Sequence, residues 1–219
     1  MQQISGRDAA SAVLNDPRFV VPAVPPASGG VAWLRATVGR FSSGAAYERR
    51  RALSTAVLDR IPFEGLRAGH PVAVLAAALG IGEPVVELVQ DVAQAYQPGT
   101  GDEARADPAA DRLVAILGGR RDELTAARIG VLVQACTATE VLIERAREHG
   151  VEKVLRDLPP VSATKRQATV AVTVGEVMVE AGEVVQVRLA GDLAFGAGER
   201  RCPGRAHALA IVAATLARP

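Results

Sequence analysis

The segment that decides the fold is Phe195-Gly196-Ala197-Gly198-Glu199-Arg200-Arg201-Cys202-Pro203-Gly204. Its glycines and its proline predict a tight loop that ends where a helix begins, because proline suits the first helical position. Cys202 is therefore predicted at the N-cap of that helix or just outside it, with Pro203 as the first helical residue. The unpaired N–H groups and the positive end of the helix dipole favour a thiolate there, and a thiolate is a soft ligand for a transition metal.

The chain after this loop predicts an amphipathic helix. Apolar side chains recur beyond Gly204 at steps of three and four residues, as in the buried stripe of a helix. They are Ala206, Leu209, Ala210, Ala213 and Leu216. Three arginines close to the cysteine add positive charge around its sulfur, namely Arg200, Arg201 and Arg205.

The loop resembles the haem-ligand loop of the cytochrome P450 family of haem-thiolate monooxygenases. The pattern Phe-x-x-Gly-x-x-x-Cys-x-Gly is filled at every position, by Phe195, Gly198, Cys202 and Gly204. The resemblance implies that Cys202 ligates the iron of haem b and that Arg200 contacts a haem propionate. It also implies that Phe195 packs against the ligand loop, with Gly198 and Gly204 as the cofactor-binding glycines of the pattern.

A rival interpretation of the same glycines is a dinucleotide-binding loop that starts at Gly196-Ala197-Gly198. That loop needs a third glycine and a βαβ unit that brings the helix N-terminus to a pyrophosphate. Its third glycine position holds Arg201, and no βαβ unit follows. A dinucleotide-binding loop is therefore excluded.

Composition limits the partners. The chain has 219 residues and is 49% hydrophobic, but it has only one Trp, two Tyr and four Phe, so Ala, Val and Leu must fill the core. A net charge of +1 provides no basic footprint for nucleic acid. The two cysteines, Cys136 and Cys202, lie in unlike contexts and predict no disulfide framework. No apolar run reaches membrane-spanning length and residues 1–10 lack a signal-peptide pattern, so a cytoplasmic protein without a membrane partner is expected.

Hydrophobic periodicity predicts a mainly α protein with a small antiparallel β-sheet, an α+β fold with one domain over residues 1–219. The predicted helices cover residues 6–15, 44–60, 83–95, 103–118 and 122–149. The predicted strands cover residues 168–174, 176–180 and 184–189. A loop rich in proline and glycine is expected at residues 20–30.

The longest predicted helix, residues 122–149, spans roughly 42 Å and is apolar almost all round in its middle, which predicts a central position in the core. Its segment Ala135-Cys136-Thr137-Ala138-Thr139 resembles the family's central-helix segment Ala-Gly-x-acid-Thr. The resemblance implies that Ala135 lies over the haem and that Thr139 guides protons to bound oxygen. Ala138 stands at the catalytic acid position and Cys136 at the glycine position. A plainer alternative stays open, in which Thr137 and Thr139 bond back to helix carbonyls.

Two further places resemble propionate-binding elements of the family. Tyr47 and Arg51 stand one turn apart, where relatives carry a His-x-x-x-Arg pair on one helix face. Tyr47 replaces the histidine, and its hydroxyl can donate a hydrogen bond but carries no charge at neutral pH. Arg166 matches a second propionate-binding arginine. The alternative for residues 49–51 is a solvated basic face.

The family's Glu-x-x-Arg signature is altered. Arg156 matches its arginine, but the glutamate position holds Lys153. Glu152 stands four residues before Arg156 and is the remaining acidic neighbour that could pair with it. The sequence therefore predicts that the structural ion pair of the family is either rebuilt or lost.

The motifs occur in the family order over roughly residues 8–217. The family's domain is usually far longer than 219 residues, so the resemblance implies an abridged cytochrome P450-like fold with a long central helix and a Cys-ligand loop. The N-terminal sheet strands are expected among the missing parts.

Three functions follow as hypotheses. The first is a haem-thiolate monooxygenase that oxidises a small organic substrate with O2 and electrons from a ferredoxin-type donor. The second is a non-catalytic binding or scaffold protein of P450-like fold that assists a partner enzyme such as a glycosyltransferase. The third is haem-thiolate chemistry without oxygen activation.

Overall fold

The computed structural model describes residues 1–218, and within them the chain is mainly helical with two small sheets, which confirms the predicted α+β class. The helices are α1 Arg7–Asn15, α2 Gly30–Thr37, α3 Gly44–Asp59, α4 Pro71–Ala78, α5 Val86–Ala95, α6 Glu103–Ile116, α7 Glu123–His149, α8 Val151–Asp157 and α9 Arg205–Leu216. The strands are β1 Gln3–Ile4, β2 Phe19–Val20, β3 Ala163–Ala168, β4 Val172–Val174, β5 Val177–Val179 and β6 Val184–Arg188.

The chain divides into two compact units. The first contains Met1–Pro22 and Glu144–Cys202, and the second contains Ala23–Ile143 and the chain from Pro203 onward. The first unit carries both sheets, and the second carries most of the helices.

The larger sheet of the first unit has four strands in the order β1-β6-β3-β2. β3 pairs antiparallel with β6 and with β2, whereas β1 runs parallel to β6 with Gln3 opposite Gln186. β4 and β5 form a separate antiparallel hairpin. The sheet is thus antiparallel as predicted, except at its β1 edge.

Three strand predictions need correction. The first predicted strand, residues 168–174, covers the end of β3, a break, and then β4. β3 reads Ala-Thr-Lys-Arg-Gln-Ala and lacks alternating apolar residues, so period-2 patterning does not detect it. The N-terminal strands expected to be missing are present as β1 and β2, and each has only two residues, too few to leave a periodic signal.

The core of the first unit is aliphatic. One buried cluster joins α1 to both sheets, and Phe19 is its one aromatic member. Its members are Ile4, Ala10, Val13, Leu14, Phe19, Ala168, Val172, Val174, Val179, Val185, Val187, Leu189 and Leu193. Small and branched side chains therefore fill this core, as the composition requires.

In the second unit, two carboxylates of α6 bind the N-terminus of α2. Gly30 N–H donates to Asp111 Oδ1 at 3.0 Å, and Val31 N–H donates to Asp107 Oδ1 at 2.9 Å. These bonds satisfy two N–H groups that a helix start leaves without intrahelical partners. Gly30 has φ +59°, and a Cβ there would lie 2.2 Å from Asp107 Oδ1, so the contact requires glycine.

The central helix α7 matches its predicted bounds within one residue. By length and composition α7 could cross a membrane, but 61% of its most apolar 18-residue window is buried inside the protein. The sequence has no uninterrupted apolar run of membrane-spanning length here, because charged residues interrupt the apolar positions. The core helix of a soluble protein passes the same test, so one such helix is weak evidence for a span.

The buried face of α9 differs from the predicted stripe. The buried residues are His207, Ile211 and Val212, whereas Ala206 and Ala213 are exposed. α9 is apolar on most sides, so spacing alone does not select one face. The ring of His207 is drawn inward by a hydrogen bond between Nε2 and Ile61 O at 3.2 Å, and it stacks 4.7 Å from Phe63.

Candidate functional site

The cysteine loop is closed by backbone hydrogen bonds. Cys202 N–H donates to Phe195 O at 2.8 Å, which brings the two ends of the loop together. Inside it, Gly198–Arg200 forms a short 3-10 turn, and Arg201 N–H donates to Gly198 O at 3.1 Å. Cys202 is exposed, and Phe195 and Arg200 are half-buried. The loop therefore presents the thiol outward from a fixed backbone.

Gly198 fixes this loop against the end of α1. Its φ is +62°, and a Cβ there would lie 2.8 Å from Asn15 Oδ1 and 3.1 Å from Leu14 O. A side chain at this position would push the loop away from α1, and a positive φ is strained for any residue with a Cβ. The glycine of the sequence pattern thus has a packing reason inside the first unit.

The start of α9 needs one correction. The helix begins at Arg205 with Gly204 as its N-cap, so Cys202 lies two residues before the cap. Pro203 is outside the helix rather than its first residue. The prediction that Cys202 lies at the N-cap or just outside it is confirmed only in its looser form.

Arg166 lies on β3, opposite Val185 of β6, and is 5% exposed. One terminal nitrogen, Nη1, donates to Thr164 Oγ1 at 3.1 Å and to Lys165 O at 2.8 Å. These bonds hold the guanidinium in one place inside the first unit. A buried, oriented guanidinium is suited to a planar carboxylate ligand.

On α3, Tyr47 is buried and Arg51 is half-buried, one turn further on. The preceding turn packs closely on the helix, since a Cβ on Gly39 would lie 3.4 Å from Arg51 N. Neighbouring arginines are not a purely solvated face. Arg49 Nε and Arg50 Nε bond to Glu123, at 2.7 and 2.9 Å, and Arg50 also donates to Ala36 O.

Thr139 of α7 is 3% exposed. Other helix hydroxyls bond to the carbonyl four residues back, as Thr37 does to Trp33 O at 2.8 Å and Thr215 to Ile211 O at 2.8 Å. Over residues 1–218 the structure gives the Thr139 hydroxyl no such partner. Ala135 and Ala138 are half-buried.

A polar cluster that the sequence analysis missed lies on the same helix. Glu140 Oε1 accepts a hydrogen bond from His70 Nε2, and Cys136 Sγ lies 3.8 Å from Glu140 Oε2. His70 is also the N-cap of α4, because its Nδ1 accepts Val72 N–H at 3.2 Å. Nδ1 is thus an acceptor and Nε2 carries the proton. The available signals were the four-residue spacing of Cys136 and Glu140 and the His-Pro pair at 70–71.

Burial, with a smaller contribution from Glu140, raises the pKa of the Cys136 thiol to about 12. Cys136 therefore stays a neutral thiol at physiological pH and is a poor metal ligand or nucleophile. Of the two cysteines, the exposed Cys202 has the better access to a cofactor.

The Glu-x-x-Arg ion pair is lost rather than rebuilt. Arg156 pairs with its neighbour Asp157, at 3.2 Å between Nε and Oδ1, and both side chains are largely exposed. Glu152 and Lys153 are exposed. An exposed pair of this kind contributes little to stability.

The donor set fits haem better than a bare metal ion. Among residues 1–218, no three His, Cys, Asp or Glu side chains are grouped so that they could hold a metal ion. Haem brings four nitrogen ligands of its own and needs from the protein one axial ligand and cations for its propionates. Within the first unit, an exposed cysteine on a closed loop and the oriented guanidinium of Arg166 are of the chemical kinds that haem needs.

No protein-family model and no curated protein sequence matches the chain. Solved structures of cytochromes P450 do match it. The thermophilic cytochrome P450 from Sulfolobus tokodaii aligns with a TM-score of 0.67 and 17% identity, over 95% of this chain and 83% of that one. P450BioI, solved with an acyl carrier protein ligated to hexadec-9Z-enoic acid, aligns with a TM-score of 0.66 and 19% identity, over 97% and 82%.

CalO2 gives a similar result, with a TM-score of 0.65 and 18% identity over 99% of this chain and 81% of that one. At these identities the likeness concerns the fold. The chain therefore has a cytochrome P450-like fold, in an abridged form of 219 residues. The resemblance inferred from the cysteine loop is confirmed at the level of fold.

Proposed function

We propose that this protein is a haem-thiolate oxidoreductase, a cytochrome P450-type monooxygenase in which Cys202 ligates haem b. One observation carries the proposal, namely the exposed Cys202 at the end of a loop closed onto Phe195 O, in a chain of P450-like fold. When bound through a thiolate, haem supplies oxygen activation, because the thiolate pushes electron density toward the iron.

The other residues bind and orient the cofactor. The propionates are held through charge-assisted hydrogen bonds by Arg51, Arg166 and Arg200. The uncharged Tyr47 hydroxyl donates a further hydrogen bond. The loop is shaped by Phe195, Gly198 and Gly204. The small side chain of Ala135, on the central helix, leaves room for haem beside that helix. Residues 1–219 then form a single haem domain.

Thr139 is the residue that donates a proton during catalysis. Its side chain is 3% exposed and lies on the central helix α7. Ala138 supplies no carboxylate to reprotonate that hydroxyl, so proton delivery depends on water and is slow compared with a positioned acid. We expect substantial uncoupling, in which oxygen is consumed and peroxide is released.

The substrate is a small organic molecule, and a ferredoxin-type protein in the cytoplasm supplies the electrons. The near-neutral charge of the chain agrees with a small-molecule substrate rather than nucleic acid.

A second candidate function is a non-catalytic protein of P450-like fold that assists a partner enzyme. The observation that favours it is the loss of the Glu-x-x-Arg pair, with Arg156 on the surface beside Asp157. Such a protein would not turn over oxygen in either the wild type or the variant described next.

The test of the oxygenase function is Ala138→Asp, which restores a carboxylate beside Thr139. Peroxide release per oxygen consumed should fall about tenfold, a fraction of the roughly 10²–10⁴-fold that a fully positioned general acid contributes. The measurement is a peroxide assay in haem-loaded protein with a chemical or ferredoxin reductant. The control is Ala115→Asp, on a different helix, which should leave the peroxide yield unchanged. An unchanged yield in Ala138→Asp together with Thr139→Ala would contradict the role of α7.

A further inference from the structure

A cavity in the first unit has none of the proposed haem-binding residues in its lining. Its volume is about 340 Å³, within the size range of small-ligand sites. It lies beside the start of α1, the end of β6 and the turn that follows β6. The lining residues are Gln3, Ser5, Gly6, Arg7, Ala10, Arg188, Ala190 and Leu193.

Arg7, which lines this cavity, forms an ion pair with Asp192. Arg7 binds Asp192 through two nitrogens, with Nη2 at 2.7 Å from Oδ2 and Nε at 3.2 Å from Oδ1. The guanidinium of Arg7 lowers the pKa of Asp192, which therefore stays ionised and keeps the pair closed. Arg7 also contacts Asp8, whose side chain is almost fully exposed. The charge of Arg7 is thus already compensated, and its pair joins α1 to the turn after β6.

Arg188 differs from Arg7 in having no acidic partner among the described residues. It lines the cavity from the end of β6, and across residues 1–218 the structure gives its guanidinium no hydrogen bond and no acidic partner. Arg188 is therefore the one uncompensated charge among the lining residues. A guanidinium matches a carboxylate in a bidentate geometry, and such charge-assisted pairs are stronger than neutral hydrogen bonds.

Three of the lining residues are apolar. Ala10 and Leu193 belong to the buried core of the unit, and Ala190 is half-buried. Ser5 and Gln3 also line the cavity and are exposed, so a hydroxyl and an amide add neutral hydrogen-bonding groups. A ligand that fits must combine one anionic head with a short apolar chain.

We propose that this cavity binds a small aliphatic carboxylate, with Arg188 pairing the carboxylate and Ala10, Ala190 and Leu193 packing on the chain. The lining contains no residue of the cysteine loop, although Leu193 O accepts the N–H of Gly196 in that loop at 2.8 Å, and binding there does not require haem. It gives the protein a second small-molecule site on its first unit.

The test is a titration of 15N-labelled protein followed by NMR, with hexanoate as the probe. Hexanoate should shift the amide signals of Ser5, Gly6 and Leu193 in a saturable way. 1-Hexanol has the same chain without the charge, and inorganic phosphate has charge without a chain, so both should bind at least tenfold more weakly. Equal shifts with phosphate would overturn the role of the apolar lining residues.

The decisive variant is Arg188→Gln, which removes the charge from an exposed position at a strand end. The hexanoate Kd should rise roughly tenfold or more, as expected for the loss of a charged hydrogen bond. Arg188→Lys should give an intermediate Kd, because lysine keeps the charge but not the fork. The matched control is Arg156→Gln, another exposed arginine of the same unit, which should bind like the wild type. Unchanged binding in Arg188→Gln, or no saturable shifts in the wild type, would overturn the proposal.

Discussion

Glu123, the first residue of α7, accepts hydrogen bonds from the guanidinium groups of two arginines. Hydrogen bonds from Arg49, and then from Arg50, lower the pKa of its carboxyl to about 2, although partial burial opposes the shift. Its side chain is 25% exposed, and that of Arg49 is 58% exposed, so solvent screens part of the interaction. Residues more than seventy positions apart form this cluster, and no local pattern predicts it.

Glu123→Gln should therefore destabilise the protein by roughly 1–2 kcal/mol at neutral pH, after allowance for screening. Because the folded-state pKa is lowered, this stabilisation is complete above the ordinary value of 4.5 and is lost as pH falls from there toward about 2. Denaturant unfolding of wild type and variant across this pH range checks the prediction. Glu148→Gln, at an exposed site near the other end of α7, is the control. If the difference in unfolding free energy between wild type and Glu123→Gln is as large near pH 2 as at neutral pH, the assignment is contradicted.

Three arginines carry the proposed propionate contacts, and each has a separate prediction at the residue scale. Replacing Arg51 or Arg200 by Ala, or Arg166 by Gln, should weaken haem retention by about 1.5–3 kcal/mol per charged hydrogen bond lost. Haem transfer to apomyoglobin measures retention, and circular dichroism monitors the fold. Arg156→Ala, at an exposed pair, should retain haem like the wild type. Equal retention in all four variants would identify the three arginines as structural or surface charges.

At the scale of elements, helices with strong periodicity were predictable. Residues 122–149 were predicted for the central helix, and the structure has Glu123–His149. β3 was not predictable, because Lys165 and Arg166 interrupt any apolar alternation and the strand is fixed by pairing with β6. The cysteine loop was predictable from its spacing, since glycine and proline act locally. The packing of Gly198 on Asn15 was not, since it joins distant parts of the chain.

The attachment of α2 to α6 gives a prediction at this scale. Gly30 and Gly44 both begin helices with φ +59°, but a Cβ on Gly44 meets nothing within 4 Å, whereas one on Gly30 meets Asp107. Gly30→Ala and Gly44→Ala both introduce the same backbone strain, about 1–2 kcal/mol. Gly30→Ala must also displace Asp107 from Val31 N–H and should cost roughly 1–2 kcal/mol more. Thermal unfolding of the two variants compares them, and equal destabilisation would exclude this role for Asp107.

At the scale of the whole molecule, composition predicted the chemistry of the core. The second unit, like the first, is filled mainly by aliphatic side chains, among them Val31, Leu34, Val72, Leu75, Val89, Leu113, Ile129, Leu132 and Ile211. Composition did not predict the polar groups inside it. Thr139 and His207 are buried in this unit, and the hydrogen bond between His207 Nε2 and Ile61 O is a contact that only the folded chain defines.

The central claim is that Cys202 ligates haem iron in an abridged P450-like fold. Its most direct test is the absorption spectrum of purified, haem-reconstituted protein after reduction and exposure to carbon monoxide. The account predicts the strongly red-shifted Soret band of thiolate ligation in the wild type and in Cys136→Ala, and its absence in Cys202→Ala. A protein that takes up no haem, or a red-shifted band that persists in Cys202→Ala, would contradict the claim.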